Sequence, residues 1–118
     1  MSNLSDQVLS VVTELFPQIK VKKEELVNYK GQKLFLDFWI PQLGIIIEVH
    51  GSQHDEFVPL FHGTGEGFRA SKRRDSLKEE WAGINGHTFV VVREDEIPIS
   101  KEALLEKIDV ATNNGPSE

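Results

Sequence analysis

Apolar residues recur at helical spacing over residues 4–16, as Leu4, Val8, Leu9, Val11, Val12, Leu15 and Phe16. Ser2, Asn3 or Ser5 can cap this helix, and Pro17 ends it. The period then shortens. Ile19, Val21 and the stretch 26–29 suggest a strand, interrupted by the charged residues 22–25. Lys30-Gly31-Gln32 reads as a tight turn, because glycine supplies the positive φ that hairpins need. Residues 33–40 and 44–50 predict two further strands joined at Pro41-Gln42-Leu43. The second of these, Ile45-Ile46-Ile47-Glu48-Val49, is β-branched almost throughout and is expected to be central and buried on both faces.

Residues 51–67 form a long segment punctuated by Gly51, Pro59, Gly63, Gly65 and Gly67, and loops of this length in compact domains tend to be functional or mobile. A second helix is expected over residues 68–84, with Ala70, Leu77, Trp81 and Ile84 on one apolar stripe and Asn85-Gly86 as its stop. Residues 88–92 predict another buried strand. A last helix opens at Ser100 with Leu104, Leu105 and Ile108 as its apolar positions. The expected order is α-β-β-β-α-β-α, an α/β domain over residues 1–111 with a polar tail at 112–118. Its sheet is mixed and four-stranded, flanked by helices.

Composition narrows the class. The chain has 118 residues, 39% of them hydrophobic and 27% charged, which suits one folded domain and not a disordered segment. Its longest apolar run is too short to span a membrane, and residues 2–14 lack the basic-then-apolar order of a signal segment. The absence of cysteine removes disulfides, thiolate metal sites and thiol nucleophiles together. A cytoplasmic setting, in a bacterium or a phage-infected host cell, is the expectation, with no membrane partner. The net charge of −6 argues against attraction of the whole surface to nucleic acid.

Two acids stand where acids are costly. Asp37 interrupts Leu34-Phe35-Leu36 and Phe38-Trp39-Ile40, and Glu48 interrupts Ile45-Ile46-Ile47 and Val49. A buried carboxylate must be paired, hydrogen-bonded or bound to a cation. The two lie on hairpin neighbours, so their side chains can converge. Oxygen ligands from adjacent strands, with positions left for water, suit Mg²⁺, with Mn²⁺ as a substitute. The alternative is a pair of acids salt-bridged to lysine or arginine at the strand ends. His50 emerges on the same side of the strand as Glu48, Gly51 allows a turn there, and His54 can fold back toward them. Histidine is the side chain whose unperturbed pKa lies near neutrality, so it can take a proton from water at pH 7.

These residues resemble the PD-(D/E)XK nuclease superfamily. The likeness is carried by Leu36-Asp37-Phe38-Trp39-Ile40, by Ile45-Ile46-Ile47-Glu48-Val49-His50-Gly51-Ser52-Gln53-His54, by Arg74-Asp75, and by Gly86-His87-Thr88-Phe89-Val90-Val91-Val92-Arg93. Its nearest branches are the very-short-patch repair (Vsr-like) endonucleases and the EDxHD homing endonucleases. The resemblance implies a restriction-endonuclease-like core, with Asp37 as principal metal ligand and the Val49 backbone carbonyl on the same ion. It makes Glu48 the glutamate of the E-x-K half-motif, with His50 where lysine usually stands. His50 and His54 match the two active-site histidines. Counting back from Gly86 places Asp75 at the family's helix aspartate, although on the helical wheel it lies nearly opposite the expected apolar stripe. Asp6 is the available match for the N-terminal acid.

Arg69, Lys72, Arg73 and Arg74 form the one dense basic cluster. They read either as a solvated face paired with Glu79 and Glu80 or, beside a nuclease-like site, as phosphate contacts. Trp39 and Trp81 are expected in the core. Phe57, Phe61 and Phe68 either pack the long loop down or wedge into a base step. His62 and His87 receive no role. The resulting expectation is a Mg²⁺-dependent DNA endonuclease of homing or phage type, its specificity drawn from a homodimer, a recognition partner or DNA structure. The alternative is a non-catalytic or accessory nuclease-fold module that binds DNA or a protein.

Overall fold

The structure, a computed structural model, describes residues 3–51 and 65–113, with side chains of the second helix described from residue 69. Its elements run α1 (Leu4–Leu15), β1 (Lys22–Tyr29), β2 (Gln32–Ile40), β3 (Ile45–His50), α2 (Gly65–Ile84), β4 (Thr88–Arg93) and α3 (Lys101–Asn113). The order is the expected α-β-β-β-α-β-α. The sheet has the spatial order β1-β2-β3-β4. Its first two pairings are antiparallel and β3–β4 is parallel, so the sheet is mixed. The parallel pair needs a crossover, and α2 supplies it.

Local chemistry sets the boundaries. Asn3 Oδ1 accepts the Asp6 N–H at 2.8 Å, so Asn3 is the cap of α1 among the three candidates. Lys30 and Gly31 both have positive φ, 51° and 75°, the two-residue turn whose twist suits a hairpin. The charged residues 22–25 do not interrupt the first strand. Three of them pair with β2 within β1, an edge strand whose exposed positions need not be apolar. The second hairpin turns on residues 41–44, one residue longer than expected, and Gly44 takes φ 66° there. At α3, Ser100 Oγ accepts the Ala103 N–H at 3.0 Å. That helix continues to Asn113, and Thr112 bonds the Ile108 carbonyl and faces the Thr88 hydroxyl, so Thr112 is helical rather than part of a tail.

The core has two parts, one on each face of the sheet. Phe38, Ile40, Ile45, Ile47, Val90 and Val92 pack with Val8 and Val12 of α1 and with Leu104 and Ile108 of α3. On the other face Leu36 and Ile46 pack with Ala82 of α2, with Trp39, Trp81 and Phe89 around them. β3 is buried as expected, since Ile45, Ile46 and Ile47 are all covered. Three expected core positions are not. Ala70 is exposed, Ile84 is 67% exposed and Leu105 is 43% exposed. For α2 this means that the face toward the sheet keeps only Leu77 and Trp81 of the expected stripe. Its covered and half-covered positions are Ser71, Lys72, Asp75, Leu77, Lys78, Trp81, Ala82 and Gly83.

Candidate catalytic and metal site

Strands β2 and β3 pair only from Phe38↔Ile47 to Ile40↔Ile45. One step further the register sets Asp37 opposite Glu48, and there the backbone ladder stops. The Asp37 N–H donates to Glu48 Oε2 at 2.8 Å, and the Val49 N–H donates to Asp37 Oδ2 at 2.8 Å. Each acid therefore binds a backbone N–H on the opposite strand, and the two strands part around the carboxylates. β2 also changes face here. Leu36 packs on the α2 side, whereas Phe38, two residues on, packs on the α1–α3 side, which simple alternation forbids. Glu24, which the β1–β2 register places across from Asp37, has φ 51°.

The N–H and C=O of one strand residue point to the same edge. The Val49 carbonyl thus faces the same gap as its N–H, beside Asp37. Asp37 is half-buried, with Oδ2 fixed by Val49, while Oδ1 holds no hydrogen bond among the described residues. A hard cation fits this oxygen and the Val49 carbonyl, both being ligands of the kind that Mg²⁺ prefers. Among the described residues no three histidine, aspartate or glutamate side chains gather on one point.

Glu48 is differently placed. It is 1% exposed, and its Oε1 accepts from Lys78 Nζ of α2 at 2.9 Å. Both oxygens are engaged, one by a backbone N–H and one by an ammonium. Burial pushes its carboxyl up to about 7 from an ordinary 4.5, the Asp37 charge adds to the rise, and Lys78 and the Asp37 N–H pull against it. A salt bridge is thus formed at Glu48, to a lysine of α2 and not to one at a strand end, and among the described residues Asp37 has none. Lys78 was not legible as its partner, because 30 residues separate them. The available signal was its position beside the buried Leu77 and one turn before Trp81.

His50 is buried at the end of β3, on the Glu48 side of the strand. Because β3 and β4 are parallel, α2 returns antiparallel to β3. Asp75 is half-buried and precedes Lys78 by one turn on the sheet-facing row. The helical wheel that set it opposite the apolar stripe is corrected, since the row that meets the sheet is polar at this end. His54, with Phe57, Phe61 and His62, lies outside the described residues, and so does the side chain of Phe68. Asp6 is exposed in the first turn of α1.

The basic cluster runs along the N-terminal half of α2, with Arg69, Arg73 and Arg74 exposed and Lys72 half-buried. Arg74 reaches Ser71 Oγ at 3.4 Å. Glu80, expected to pair with this cluster, instead meets Lys30 of the β1–β2 turn at 3.1 Å. Trp39 and Trp81 are half-buried and meet edge to face at 5.7 Å, with the His87 ring 5.9 and 5.7 Å from them. His87, given no role from the sequence, completes this aromatic cluster and faces the Asn85 carbonyl through Nδ1.

Comparison with known proteins gives a viral relative. Uncharacterized protein 307L of Invertebrate iridescent virus 6 is 37% identical over 59 residues, which are 50% of this chain and 30% of the viral protein. The chain thus spans under a third of that relative. No family model and no solved structure matches.

Proposed function

We propose that this chain is a metal-dependent DNA endonuclease that hydrolyses phosphodiester bonds, with a restriction-endonuclease-like core and a homing or phage-type setting in the cytoplasm. The observation that carries the reading is the reciprocal capping of Asp37 and Glu48, which opens β2 from β3 and turns the Val49 carbonyl into the gap. Strands gain nothing in stability from parting over two carboxylates, so the arrangement is better explained by a ligand than by packing. Mg²⁺ or Mn²⁺, held by Asp37 and the Val49 carbonyl with Glu48 beside them, would supply charge neutralisation at the scissile phosphate and a more acidic water.

The chain's own residues would do the rest. The N–H groups of Asp37 and Val49 orient the two carboxylates before any ligand arrives. His50, next along β3 on the Glu48 side, takes a proton from the attacking water, with His54 as the second histidine. Asp75 orients His50 from α2. Arg69, Lys72, Arg73 and Arg74 hold the backbone phosphates without reading sequence, and sequence preference comes from a second copy or a recognition partner.

One observation favours a second reading, that of a non-catalytic module. Glu48 already has a counter-ion in Lys78, which is how a structural pair looks. Plasmid nicking in Mg²⁺ or Mn²⁺ separates the two. The endonuclease reading expects nicking by the wild type and none by Asp37→Ala. Failure of the wild type on duplex, mismatched and single-stranded DNA alike would return the chain to the module reading.

A further inference from the structure

Lys78 reaches Glu48 from α2 with its side chain 13% exposed and that of Glu48 at 2%. The ammonium sits 2.9 Å from Oε1, while Oε2 is bound to the Asp37 N–H. It occupies the negative charge that the strand acids would offer a divalent ion. When ionised, a carboxylate this buried needs a cation beside it, and Lys78 supplies one.

We propose that Lys78 is a resident counter-ion, and that a divalent cation gains Glu48 only by displacing the Lys78 ammonium from Oε1. This rests on the metal-site reading above and deepens it. Three features fit an exchangeable cation better than a fixed pair. Lysine is a point charge on a flexible four-carbon stem, unlike the planar arginine fork that pins a carboxylate at two points. Its side chain keeps 13% exposure against 2% for Glu48, so the lysine lies at the edge of the buried region and not inside it. The carboxylates are held by backbone N–H groups that do not involve Lys78, so both acids stay in place when it goes. The released ammonium remains tethered beside the site, where an anionic phosphate oxygen would be its next partner.

Mn²⁺ binding to the full chain, measured by calorimetry without DNA at fixed ionic strength and about pH 7.5, where a free histidine is mostly neutral, tests this. Lys78→Met is expected to tighten Mn²⁺ binding at least ~10-fold, about one decade in Kd. Glu48→Gln is expected to weaken binding little in the wild type and more than ~10-fold in the Lys78→Met background, a coupling that mere removal of a nearby charge does not produce. Equal affinity in wild type and Lys78→Met, or equal Glu48→Gln effects in both backgrounds, would overturn the displacement. Lys78→Gln serves if the methionine variant does not fold. Lysine side-chain ¹⁵N resonances of the unmutated chain provide a measurement free of substitution. One of them should lose its ion-pair shift on Mg²⁺ addition, and constancy of all would also overturn the proposal. Failure of the metal-site reading looks different: wild type, Lys78→Met and Asp37→Ala would all show no saturable Mn²⁺ binding.

Discussion

The clearest perturbation is Glu48→Gln, because burial and an ammonium act on this carboxyl in opposite directions. Its pKa is raised to about 7 in the folded chain from 4.5, chiefly by burial. Between these values the folded state keeps a proton that the unfolded state has released. The folded state then binds more protons, so stability falls as pH rises through the window. Below 4.5 both states are protonated, and above 7 both are ionised, so the loss is confined to that interval. From pH 5 to pH 8 the loss from this group alone comes to roughly 2–3 kcal/mol, each tenfold difference in proton affinity between the two states contributing a little over 1 kcal/mol. Glutamine cannot titrate, so the variant lacks the slope. Urea unfolding with chelator present should show the variant gaining roughly 2–3 kcal/mol on the wild type between pH 5 and pH 8. A difference independent of pH, or a wild type that gains on the variant as pH rises, would refute the reasoning. It would mean that Lys78, and not burial, governs Glu48.

Three further outcomes are expected. Thermal unfolding with saturating Mg²⁺ should show a rise in Tm for the wild type and none for Asp37→Ala, since a ligand of the native state alone must stabilise it. Single neutralisations at Arg69, Lys72, Arg73 or Arg74 should weaken DNA binding alike across sequences and flatten the salt dependence by about one unit of slope each; unchanged fluorescence-anisotropy affinity in Arg73→Ala/Arg74→Ala would make the cluster a solvated face. His50→Ala should slow nicking while leaving DNA affinity nearly intact; wild-type rates in the variant from pH 6 to 8 would remove histidine from the chemistry.

The sequence alone determined the element order, the class of the sheet and the place of both acids. Helical and strand periods are local properties, and so are the caps at Asn3 and Ser100 and the positive φ at Lys30 and Gly31. The hairpin register follows from its turn, so the convergence of Asp37 and Glu48 was legible as well. The orientation of α2 was not. Its wheel assumes that the face meeting the sheet is the apolar one, and that holds at Leu77, Trp81 and Ala82 but fails at Ala70 and Ile84. Toward its N-terminus the helix passes over the end of β3, where the buried Glu48 stands, and Lys78 becomes the matching residue. Only the tertiary structure decided this, because the charge that makes a lysine welcome at a covered position belongs to a strand 30 residues away.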